Sequence, residues 1–209
     1  MKVQIHKNIF WFLSKILVVF WRRWCRIRKW AWKVVFHIQA MGCLAFFNCG
    51  NEVRIEVPVH IGGYGSLEIG SNVWLGWETA TKMGKGNILL QPCSSKSVVT
   101  IGAGTMLSNN VSIVAMDKIT IGERCLIGDM TQMLDCDSHE LEPTRRFFGM
   151  GPIEPIHIGN NVWIGSRVLI LKGVSIGDNS VIGAGSIVTR SIPSNSLAVG
   201  IPAKVVRTL

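Results

Sequence analysis

Residues 158–191 read IGNNVWIGSRVLILKGVSIGDNSVIGAGSIVTRS. An aliphatic side chain returns at every sixth position: Ile158, Ile164, Ile170, Ile176, Ile182 and Val188. Gly159, Gly165, Gly177 and Gly183 follow four of them. Two positions before each next aliphatic sits a smaller side chain: Val162, Val168, Val174, Ser180 and Ser186. A period of six fits neither the 3.6 of a helix nor the alternation of a plain strand. It marks a β-solenoid assembled from hexapeptides. Each hexapeptide supplies one short strand and one corner, and three complete a triangular turn. The aliphatic points into the prism, and glycine takes the corner where a Cβ is unwelcome.

The same phase extends upstream. Ile101, Leu107 and Ile113 keep it, and after a two-residue insertion so do Ile121, Ile127 and Met133. Hexads begin irregularly at Val53 and run through Val59 or Ile61, Ile69-Gly70 and Leu75-Gly76. Between Leu75 and Ile101 the phase breaks. The Gly, Lys, Pro and Ser punctuation of residues 81–96 predicts a loop bulging from a corner there. A true interruption follows at 135–155, DCDSHELEPTRRFFGMGPIEP. A long aperiodic excursion from a regular scaffold usually carries function. Pro193 and Pro202 then let the chain leave the coil.

Residues 1–48 are of another kind. They hold nine basic residues, from Lys2 to Lys33, and no acid. The other thirteen basic residues are balanced by thirteen acids, so the formal charge of +9 belongs to this segment and the whole is not read as a nucleic-acid binder. Five of the eight tryptophans also fall here: Trp11, Trp21, Trp24, Trp30 and Trp32. The apolar run Ile9 to Trp21 has 13 residues, short of the roughly 20 of a spanning helix. No small-residue cleavage site follows it, so a signal peptide fits poorly. On a helix, Lys15, Arg22, Arg26, Lys29, Lys33 and His37 share one face, and Phe20, Trp24, Ile27, Ala31, Val34, Ile38 and Met41 line another. That division suits a helix lying at a lipid interface, with rings at the headgroups and cations on anionic lipid. The competing reading packs amphipathic helices on the solenoid or on neighbouring subunits. The expected domains are therefore a basic, Trp-rich helical segment at 1–48 and a solenoid at 49–209. The expected location is the cytoplasmic face of the cell membrane. Six cysteines without a C-x-x-C pair read as reduced thiols rather than a zinc cluster.

The stretches Asn161-Val162-Trp163-Ile164-Gly165-Ser166, Ile182-Gly183-Ala184-Gly185-Ser186 and Gly200-Ile201-Pro202-Ala203-Lys204-Val205-Val206-Arg207 carry a resemblance. The chain resembles the hexapeptide-repeat acyltransferases of the galactoside, maltose and xenobiotic type, and the O-acetyltransferases of surface polysaccharides. The resemblance implies a left-handed parallel β-helix, acetyl-CoA as donor, no metal, and a homotrimer with sites between subunits. It implies that His139, at the head of the excursion, is the general base. An imidazole suits that work because it titrates near neutrality. Asp135 or Asp137 is expected to orient it. By the same resemblance Asn109 and Asp117 face the acceptor. An asparagine there also fits a corner with a left-handed backbone. Trp163, Ser166, Ala184, Thr189 and Arg190 are expected along the coenzyme groove, with Lys204 and Arg207 on its phosphates. Trp163 reads equally as a ring stacked on the coil.

The leading expectation is an O-acetyltransferase acting on a saccharide hydroxyl, on a lipid-linked or surface-polysaccharide precursor. A soluble sugar or antibiotic is the alternative acceptor. The zinc carbonic anhydrases share this prism but use an H-x4-H pair, and Thr144 stands where the second histidine would fall after His139. A non-catalytic scaffold leaves the loop histidine and the tail motif without purpose.

Overall fold

A computed structural model describes residues 2–78, 80 and 86–209, with side chains described at 15 and from 17 onward. Among the described residues, one helix, α1 (Lys2–Cys43), precedes twenty short strands. Apart from the last strand (Ala203–Thr208), which folds back antiparallel on Ser196–Gly200, the strands form three parallel sheets, and the strands up to Val188 step from one sheet to the next, so the chain winds a three-sided left-handed coil. The sheets are named here by the order in which each turn visits them: face one, face two and face three.

The hexad positions form the interior. On face one, Ile69, Ile101, Ile121, Ile158 and Ile176 stack in register. On face two the row is Ile55, Leu75, Leu107, Ile127, Ile164 and Ile182. On face three it is Leu90, Ile113, Met133, Ile170 and Val188. All are buried in one continuous core. Each inward aliphatic meets its equivalents one coil away, which is why a fixed period suffices to build the core. At Gly165 the coils come so close that a Cβ would stand 2.6 Å from the Ala184 nitrogen.

Strand formation starts earlier than expected. Phe46–Cys49 already pairs with Ser66–Ile69, so the helical segment ends at Cys43 rather than 48. The first break in phase is also shorter than expected. Ile88–Pro92 is a regular strand of face three with Ile88 and Leu90 inside, because its alternation fits the pleat. Residues 81–85 of the expected loop lie outside the described residues. The second excursion begins on two-stranded pairing: Cys136 bridges Ile153 antiparallel, and Asp137 and Glu154 donate to Pro152 and Asp135 carbonyls.

α1 is one continuous helix, about 60 Å long at 1.5 Å per residue. Its C-terminal half docks on the first coil through Cys25, Lys29, Trp32, Phe36 and Ala40, a stripe of helical period. Phe36 is buried and meets Phe47 edge-on at 5.6 Å. Gln39 Oε1 accepts from the Ile61 N–H on the otherwise open first strand of face three. Lys29 pairs with Glu56 and, at 2.7 Å, with Glu78. Burial alone would depress the Lys29 ammonium, but the bonds and charges of the two carboxylates hold it above the usual lysine value. This corrects the expected basic face. Lys29 turns to the coil, because two acids wait there, while Arg22 and Arg26 stay exposed. Phe20, Trp24, Ile27, Ile38 and Met41 are left uncovered by this chain. Among the described residues, no helix is long and apolar enough to cross a membrane.

Candidate active site

The site residues sort onto the two edges of face three. The corner between faces three and one throws out the 135–155 excursion with His139. Asp135, at its root, is fully buried, and its carboxylate accepts from the backbone N–H groups of Met116 (2.7 Å) and Asp117 (2.8 Å). The excursion is thereby tied to the corner one coil below, where the Asp117 side chain is exposed. Asp137 pairs with Lys172 at 2.8 Å. Gly151 packs against the head of the excursion, and a Cβ there would come within 2.6 Å of the His139 carbonyl oxygen. Burial, with Asp135 next, pushes the Cys136 thiol above its usual range, so this sulfur is poorly suited to attack.

His139 is exposed, and its Nδ1 lies 3.0 Å from the Arg146 carbonyl oxygen. A carbonyl only accepts, so Nδ1 is the donor and carries a proton. In the neutral ring Nε2 then keeps its lone pair. The expected orienting carboxylates are not the ones used. Asp135 is committed to two N–H groups and Asp137 to a lysine, so a backbone oxygen positions the ring instead. No side-chain signal in the sequence pointed to it. The excursion's far end is shaped by Arg145 on Glu140 (2.9 Å) and Arg146 on the Leu141 carbonyl (3.0 Å), and it leaves Phe147 and Phe148 almost fully exposed.

The opposite edge gathers most of the other candidates. On the outer surface of face two, Arg54, Trp74, Met106, Leu126, Trp163, Val181, Leu197 and Arg207 lie in one register row. Ser166 and Ala184 flank the row at the adjoining corner. Lys204 lies opposite Val199 on the terminal hairpin. Trp163 is 56% exposed. A cavity of about 220 Å³ opens beside it, with Met106 and Leu126 between Trp163 and Trp77.

Thr189 and Arg190 do not join this row. One hexad past face two carries the chain across face three, so they sit at the corner on the His139 side, before Ile192 bridges Ile176 on face one. One expectation needs correction. Asn109 is fully buried and does not face open space. Its Oδ1 accepts from the Trp77 N–H at 2.9 Å and its Nδ2 donates to the Trp77 carbonyl at 3.1 Å. The amide both donates and accepts, as expected of the residue type, but its partner is backbone. The left-handed corner position belongs to its neighbour, Asn110. Among the described residues, no three His, Cys, Asp or Glu side chains converge on a metal-sized point.

A solenoid of this kind defines the class, a left-handed β-helix of hexapeptide repeats. The family model for the bacterial transferase hexapeptide, six repeats, matches residues 155–190. The galactoside O-acetyltransferase of Escherichia coli is 46% identical over 113 residues, which cover 54% of this chain and 55% of that protein. The chain thus aligns with about half of that relative's length. A hexapeptide-repeat acetyltransferase of Vibrio cholerae, solved with acetyl coenzyme A, superposes with a TM-score of 0.56 at 28% identity, over 83% of this chain and 75% of that one. A polysialic acid O-acetyltransferase superposes at 0.63 with 26% identity, over 78% and 74%. The chain thus carries the transferase hexapeptide repeat at 155–190 and is similar, in sequence and in fold, to hexapeptide-repeat acetyltransferases.

Proposed function

We propose that this chain is an acetyl-CoA-dependent O-acetyltransferase acting on a saccharide hydroxyl, on a lipid-linked or surface-polysaccharide precursor at the inner membrane face. The observation that carries the reading is the His139 ring, pinned through Nδ1–H to the Arg146 carbonyl with Nε2 left to accept a proton. In this reading Nε2 takes the acceptor's hydroxyl proton as the oxygen attacks the thioester carbonyl, and backbone N–H groups at the coil corner hold the oxyanion. The relatives' activities on galactosides and polysialic acid support a saccharide acceptor.

The protein works as a homotrimer. His139 with Asp117, and the Trp163–Arg207 row with Ser166 and Ala184, lie on opposite edges of face three, so one chain alone does not assemble the site. Across a subunit boundary the His139 edge of one protomer meets the row of its neighbour, and the uncovered Phe147 and Phe148 gain an apolar partner surface. Trp163 then sits by the thioester, and Lys204 and Arg207 by the coenzyme phosphates. The membrane placement is supported by α1, whose Trp24 and Ile27 are exposed beside Arg22, Arg23 and Arg26.

Replacing His139 with alanine tests the chemistry. Transfer from acetyl-CoA to saccharide acceptors, followed by thiol release, is expected to fall by about 10²- to 10⁴-fold. Coenzyme A binding, followed by calorimetry, is expected to stay unchanged. An alanine variant that keeps full activity removes His139 from the mechanism.

A further inference from the structure

Trp77 is held from several sides. Its backbone N–H and carbonyl both bond the Asn109 amide, a side chain with no exposed surface. Its ring stacks on Trp74, centroids 5.0 Å apart and planes 19° from parallel. Trp74 is backed in turn by the Arg54 guanidinium, 4.3 Å from its ring centre. The next residue, Glu78, is tied to α1 through Lys29. Backbone, ring and neighbour are therefore all anchored, yet the indole remains 39% exposed and walls the cavity that Trp163 closes at the other end. Side chains fixed from behind and left open in front are built to meet a ligand.

The cavity's chemistry names the ligand class. Its body is apolar, with two indoles and the Met106 and Leu126 side chains. Its polar part is smaller, with Ser108 in the lining. A pyranose has the same division, with a face of C–H groups and an edge of hydroxyls. The negative π-face of an indole attracts the slightly positive C–H face, while a serine hydroxyl can take one of the ring's O–H donors. At about 220 Å³ the space falls below the ~300 Å³ at which drug-sized pockets begin, so it suits one ring rather than a whole acceptor.

We propose that Trp77 is the stacking wall of an acceptor subsite that receives one pyranose ring, with Asn109 as the positioning residue behind it. The inference rests on the saccharide reading above and adds the residue that selects the ring. Trp163 stands in the same outward row as the Trp74 on which Trp77 lies, so the subsite adjoins the donor end of the groove without overlapping the Arg207 end.

The test compares Trp77→Leu, which keeps apolar bulk without a π-face, with Trp77→Tyr, which keeps the face. The probes are a panel of methyl pyranosides, the linear sugar alcohol sorbitol and an aromatic alcohol, read by saturation-transfer NMR on the full chain and by KM where transfer occurs. Wild type is expected to saturate the C–H protons of one pyranoside face. Trp77→Leu is expected to weaken binding about tenfold while Trp77→Tyr stays within about threefold. Coenzyme A binding should be the same in all three. Binding that ignores the substitution, no pyranoside bound by wild type, or preference for sorbitol or the aromatic alcohol overturns the subsite. If pyranosides bind through Trp77 but no acetyl group is transferred, the subsite stands and the proposed reaction falls. If transfer proceeds and Trp77→Leu leaves KM unchanged, the reverse holds.

Discussion

The coil from Ile158 to Ser191 and helix α1 are both written in apolar periods, yet the two periods end in opposite places. In the coil, every hexad aliphatic is buried, and even the serines that take the smaller slot are satisfied inside. Ser180 donates to the Pro193 carbonyl and Ser186 to that of Gly183. In α1, Trp24, Ile27, Ile38 and Met41 share a helical face and are left outside, while the stripe one step round is the one that docks. A solenoid repeat contains its own partner, since the next hexad but two covers the last. A helical stripe states only that its members share a side. What that side meets is decided by other parts of the molecule, here the Glu56 and Glu78 carboxylates.

Three experiments sharpen that contrast. The largest expected effect lies in the coil. Ile170→Ala should cost about 2–5 kcal/mol in denaturant unfolding, because stacked neighbours above and below cannot close the hole. A loss under about 1 kcal/mol would mean that the prism tolerates voids and that the hexad slot is not its main support. The next lies on the open side of α1. Changing Arg22, Arg23 and Arg26 together to glutamine should weaken sedimentation with anionic vesicles by roughly 100-fold at low salt, at about 1 kcal/mol per cation. Neutral vesicles should show little change. Equal binding of both proteins to anionic vesicles breaks the lipid-facing half of the comparison. The smallest lies at the docked stripe. Lys29→Met should destabilise by about 1 kcal/mol, as expected for a partly screened ion pair. Because the folded state raises the Lys29 pKa, that contribution is complete below the ordinary lysine range and disappears only as pH rises through the raised value. A stability difference between wild type and Lys29→Met that vanishes near neutral pH would contradict the pairing.

The parts legible in the sequence share one property: their partners lie at a fixed distance along the chain. The hexad slots, the corner glycines and the interruption of the period at 135–155 are of this kind. The illegible parts depend on atoms the sequence does not distinguish. The orientation of His139 rests on a backbone oxygen at Arg146, which every residue type supplies. Asn109 reads as a polar residue beside a corner, but the backbone it holds belongs to Trp77, more than thirty positions upstream. Trp77 carried a faint signal, a large ring just after the Gly76 corner, masked by the break in phase that follows it. Thr189 and Arg190 lie off the face-two row because one hexad looks like the next in sequence but turns the chain onto a different face.

The outward row of face two has a further consequence. Adjacent strands of a sheet stand roughly 4.8 Å apart, and the row advances by one coil at each step from Arg54 to Leu197, with Arg207 added beyond it by the terminal hairpin. The molecule is therefore graduated like a ruler, with Trp74 and Trp163 three marks apart. Adding or removing one complete turn between them would lengthen or shorten the interval by a whole mark without rotating any side chain off its face. Descendants of such a scaffold can be resized for larger or smaller guests while the reacting groups at either end stay as they are.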